Sequence, residues 1–150
     1  MSKTQTKLLL DATLFALFVT VVLLGFRSAS RSGGAFCANH EWLGLLMATL
    51  VIGHLALQAR WIAATTKAVF RELPRRTRVC YGIDLVLLLL FAAILLSGLM
   101  ISGVLGNHVT ASPGWIAAHH AATKLAALVV TAHVALHWRW LADKLRRSLA

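Results

Sequence analysis

A chain of 150 residues, 59% of them hydrophobic and 13% charged, is too apolar for a water-soluble domain, where roughly half the residues are apolar and about a quarter charged. Its formal charge of +10 would point a soluble protein toward nucleic acid, but here the cations cluster on one side of a series of apolar segments, and that class is excluded. Four segments long enough to cross a bilayer leave no room for a second domain.

In chain order, the first segment is Leu8 to Phe26, behind Lys3 and Lys7. It exceeds the ~7 to 15 apolar residues of a signal-peptide core and is predicted to be a retained helix. Trp42 to about Trp61, Ile83 to about Val104 and Trp115 to about Trp138 follow, each near the roughly 20 residues a bilayer core needs. Trp42 and Trp115 stand at one set of helix ends and Trp61, Trp138 and Trp140 at the other, where amphipathic rings anchor at an interface. The cations are sided. Lys3 and Lys7 precede the first helix, Lys67, Arg71, Arg75, Arg76 and Arg78 lie around the second connection, and Arg139, Lys144, Arg146 and Arg147 lie at the C-terminal end. The other two connections offer only Arg27 and Arg31. The positive-inside rule then puts both termini, with Arg60, on the cytoplasmic side. Cys37 and Cys80 fall on opposite sides, so they cannot pair, and neither sits in a motif.

The chain repeats. Residues 54–63 (HLALQARWIA) and 133–142 (HVALHWRWLA) agree at six of ten positions with an offset of 79. Residues 11–25 align with 84–98 at an offset of 73, matching Asp11 with Asp84 and Gly25 with Gly98. Two tandem two-helix repeats, about 8–63 and about 81–142, therefore share one orientation, with a pseudo-two-fold axis along the membrane normal.

Four of the seven histidines obey this repeat: His40 and His54 on the second helix, His119 and His133 on the fourth, both spaced by 14. Fourteen residues leave the second side chain about 40° from the first and roughly 21 Å further along. Each helix thus shows two histidines on one face, and the repeat sets His40 level with His119 and His54 level with His133. Facing neutral imidazoles suit six-coordinate haem iron in a bundle core, whereas two ligands per level are too few for closed zinc. The competing reading has the histidines bonding helix to helix in a cofactor-free scaffold.

These features resemble known proteins. The 14-residue spacing on helices two and four is similar to the haem-binding four-helix half of the b subunit of quinol:cytochrome c oxidoreductases. With the H-x-A-L-x-x-R-W ending, the pattern also resembles small bacterial di-haem cytochromes b, including an uncharacterised four-helix family, and more distantly the membrane subunits of formate dehydrogenases and hydrogenases. Unlike formate dehydrogenase and superoxide-oxidising types, this chain has no histidine on its first or third helix. The resemblance implies two b haems and electron transfer.

The remaining polar residues divide between roles. His120 is about 140° from His133 on the wheel and reads as interfacial. His137, one turn beyond His133, and its repeat mate Gln58 are candidates to contact haem propionates or a quinone. Arg60 and Arg139, also repeat mates, either pair with inner propionates or simply anchor the boundary. Lys124 lies five residues inside His119, where a cation needs a partner or snorkels outward; propionate, quinone and protein partner are the alternatives. Asp11 and Asp84 read as carboxylates near helix N-termini. Gly25, Gly44, Gly53 and Gly98 allow close approach of a helix or macrocycle.

The sequence thus predicts an all-α integral membrane four-helix bundle, multi-pass in a bacterial inner membrane and surrounded by lipid. Iron of one haem b would be bound by His40 and His119, that of the other by His54 and His133, within a subunit of a larger redox complex with a protein partner. A stand-alone quinone or superoxide oxidoreductase is the alternative.

Overall fold

The computed structural model describes residues 3–30, 38–69, 73–102 and 112–149, apart from some side chains near the helix ends. Val104, His108, Cys37, Arg31 and Arg71 lie outside the described residues, as do the side chains of Lys3, Trp140, Lys144 and Arg147. Four helices make up the structure: α1 (Lys3–Ser30), α2 (Ala38–Ala68), α3 (Arg75–Ile101) and α4 (Pro113–Leu149). The shortest, α3, has 27 residues, about 40 Å at the α-helical rise, so every helix outreaches a hydrocarbon core of roughly 30 Å.

Helix boundaries follow backbone chemistry. Pro74 precedes α3 with an extended backbone, and its carbonyl accepts the Arg78 N–H at 3.2 Å. Pro113 occupies the first position of α4, where its missing N–H costs nothing, while the Ser112 carbonyl accepts the N–H groups of Trp115 and Ile116. At the other end of α3, Ser102 donates its N–H to Gly98 O at 2.9 Å.

Long, apolar windows in all four helices are sufficient to cross a membrane. Leu9, Ile52, Leu89 and Leu128, one from each helix, are largely exposed. In water that would be a liability, but in a bilayer these side chains meet lipid tails, and helices apolar all round are the expected form. α1 packs along α2 and α3 along α4, whereas α2 meets α3 only sparsely. The fold is therefore two hairpins side by side, as the repeat predicts. Four crossings return the chain to the side on which it began.

Candidate functional site

A cavity of about 1480 Å³ opens among the four helices, larger than the roughly 300–1,000 Å³ of a typical small-ligand pocket. Its wall is mostly apolar and includes His40, His54, His119 and His133. The faces deduced from the 14-residue spacing are thus brought to one interior.

Each histidine is held by its own hairpin. His40 Nδ1 lies 2.9 Å from Val21 O, and His119 Nδ1 lies 3.1 Å from Ile94 O, with Ser97 Oγ at 3.2 Å. Val21 and Ile94 are repeat mates at the offset of 73. Deeper along the helices, His54 Nδ1 lies 2.8 Å from Asp11 Oδ1, and His133 Nδ1 lies 2.8 Å from Asp84 Oδ1. Carbonyls and carboxylates only accept, so all four rings donate through Nδ1. In the neutral imidazole Nε2 is then the atom with a free lone pair. A bond from the non-ligating nitrogen is also what orients a metal-binding histidine and raises its basicity.

Small residues let the rings sit where they do. A Cβ at Gly25 would fall 3.1 Å from His40 Cε1, and one at Gly98 would fall 3.3 Å from His119 Cε1. The expectation of close approach holds at these mates, where the neighbour is an imidazole of the paired helix. A Cβ at Gly44 or Gly53 would meet nothing within 4 Å, and of these two only Gly44 lines the cavity. Gly44's mate, Thr123, also lines it, and its buried Oγ1 has no hydrogen-bond partner.

Near the start of α2 and α4, the rings of His40 and His119 have centroids 6.1 Å apart with planes at 79°. An imidazole nitrogen sits roughly 2 Å from a first-row metal, so two imidazoles that share one ion have ring centres no more than roughly 6 Å apart.

Asp11 and Asp84 are not helix-end carboxylates, as the sequence suggested. α1 begins at Lys3 and α3 at Arg75, which places both carboxylates more than two turns inside, bonded to histidines. The signal that could have found them was present: an acid inside an apolar span needs a partner, and these two recur at the same offset as the glycines.

The cavity ends are less symmetric. Lys124 and His120 are exposed side chains that line the cavity. The His120 ring lies 6.3 Å from that of His119 and is exposed, as an interfacial side chain would be, while also lining the cavity. Its mate is Glu41, which also lines the cavity and accepts a bond from Ser102 Oγ at 3.3 Å. At the opposite end, His137 packs 4.7 Å from the His133 ring, while Gln58 accepts a bond from Lys7 Nζ at 2.9 Å. Arg60 and Arg139 are exposed and absent from the cavity wall, as boundary anchors would be.

Asp84, His133 and His137 bring their ligand atoms within 4.8 Å of one another, an arrangement open to a metal ion. The Asp–His contact nevertheless recurs at the same 2.8 Å in the first repeat, where Gln58 takes the place of His137. The contact is a feature of both hairpins and does not depend on the third group.

No family model, curated protein or solved structure matches this chain.

Proposed function

We propose that the protein is a di-haem cytochrome b of a bacterial inner membrane, with both termini cytoplasmic. His40 and His119 would hold an outer haem and His54 and His133 an inner one. The observation that carries this reading is the orientation of the four imidazoles: each is anchored through Nδ1 to its own hairpin, by equivalent partners in the two repeats, with Nε2 left for the shared cavity.

The residues present suit such a group. The His40 and His119 rings are close enough that both could hold one iron, the wall is apolar, and the open space at Gly44 lies between the histidine levels of α2. The unpartnered Thr123 Oγ1 marks the corresponding stretch of α4. Bound haem would supply one-electron redox chemistry. The chain's own contribution is to fix the ligand tautomer, hold both levels at a set spacing and exclude water with aliphatic side chains. Electrons would cross between an extracytoplasmic redox partner and quinone or another acceptor, and the chain would work as a subunit of a larger redox complex.

The visible spectrum of the purified full-length chain, with haem quantified per polypeptide, tests this. Two b haems per chain are expected. A colourless protein would leave a membrane scaffold, and a single haem would refute the two-level arrangement.

A further inference from the structure

The two histidine levels are built alike except for what stands behind the rings. At the outer level Nδ1 donates to backbone carbonyls, Val21 O and Ile94 O, which are neutral dipoles. At the inner level it donates to the carboxylates of Asp11 and Asp84. We infer, on the di-haem reading, that Asp11 and Asp84 hold the inner haem at a lower reduction potential than the outer one, so that the outer level is the electron sink.

The physical reason is differential charge stabilisation. A carboxylate accepting the Nδ1 hydrogen pushes electron density onto the imidazole and makes Nε2 a stronger donor. Oxidised iron carries one more positive charge than reduced iron, so the stronger donor and the nearby anion both favour the oxidised state and depress the potential. Two such pairs act together on the inner level, and none acts on the outer.

Opposing charges are not bonded to the ligand rings. Arg60 and Arg139, which would raise the inner potential, are exposed and lie off the cavity wall, where water and salt screen them. Lys7 and Arg76 bond neutral acceptors, Gln58 and Leu136 O, and so keep their charge, but neither is hydrogen-bonded to a ligand ring, whereas each carboxylate lies 2.8 Å from one. At the outer level Glu41 and Lys124 both line the cavity with opposite sign, and neither is hydrogen-bonded to a ligand ring. The electron-balanced step is internal: one electron leaves reduced inner iron and reduces oxidised outer iron, with no bond made or broken and no proton needed.

Asp11 and Asp84 act through the histidines and are positioning residues, so the test reads a potential. The full-length protein is titrated with dithionite against redox mediators and followed by absorbance. His40→Ala retains the inner component and His54→Ala the outer, which assigns each. The inner component is expected to reduce at the lower potential. Asp11→Asn and Asp84→Asn keep an acceptor oxygen but remove the charge. Each should raise the inner component by at least a tenfold change in the oxidised-to-reduced ratio at fixed potential, about 59 mV for one electron, and leave the outer unmoved. Asp→Glu at either site should restore the lower value. An outer component that reduces at the lower potential overturns the inference, as do Asn variants that move neither component or both equally. Should the Asn variants lose haem, the order of the two single-level variants decides alone. Two bound haems in the wrong order refute this inference only, whereas a haem-free wild-type protein refutes the di-haem reading beneath it.

Discussion

Gly25 and His40 meet so closely that a Cβ built on the glycine falls 3.1 Å from the imidazole Cε1. At Gly98 and His119 the same contact is 3.3 Å. Gly25→Ala therefore requires the ring to retreat by a few tenths of an ångström. The helix itself gains about 1 kcal/mol from the replacement, which offsets part of an overpacking cost of about 1 to 3 kcal/mol. Thermal stability should change little, while haem occupancy at the outer level falls, more for Gly25→Ala than for Gly98→Ala. Haem content per chain beside a melting curve checks this, and equal loss at both levels would contradict it.

Ligand losses should pair by level. His40→Ala and His119→Ala should remove the same spectral component, and His54→Ala and His133→Ala the other, because the repeats run parallel and the His40 and His119 rings lie 6.1 Å apart. Some variants will unfold, since losing a bound macrocycle leaves a large cavity, so spectra are compared on the haem-containing fraction. Pairing of His40 with His133 would overturn the arrangement.

His137→Gln converts the second repeat to the residue its mate carries. Both haems should remain, because the Asp84–His133 contact has a counterpart in the first hairpin that lacks a third group. If the variant instead loses a stoichiometric divalent metal detected by elemental analysis, the Asp84, His133 and His137 group is a metal site in its own right.

Reporter fusions at residue 150 should read cytoplasmic and fusions at residue 102 extracytoplasmic, as expected from the cations around the termini and the α2–α3 connection. The opposite pattern would invert the assignment of inner and outer levels.

The sequence disclosed the helices and hairpins because lipid demands long apolar runs and the repeat supplied the pairing. It disclosed the histidine face because 14 residues nearly close four helical turns. Asp11 and Asp84 read as helix-end residues when each helix is taken to start with its apolar run at Leu8 or Ile83, whereas α1 and α3 begin five and eight residues earlier, at Lys3 and Arg75. The angle of His120 to His133 sets it off the ligand face, and the structure adds that the exposed ring also lines the cavity. The Val21 and Ile94 carbonyls carry no side-chain signature, so no reading of residue types finds them.

The encounter of His40 with His119 is a residue meeting its own repeat mate, which is the contact pattern of an isologous interface in a homodimer. Joined in one polypeptide, the halves are released from the identity that a homodimer imposes. Where symmetry serves the bundle, as in the histidines, Asp11 and Asp84, and Gly25 and Gly98, the copies have stayed alike. At the two mouths, Glu41 stands against His120 and Gln58 against His137, so each end presents two chemically different walls to whatever approaches it. A tandem repeat within one chain allows an asymmetric entrance that no two-fold pair of identical hairpins offers.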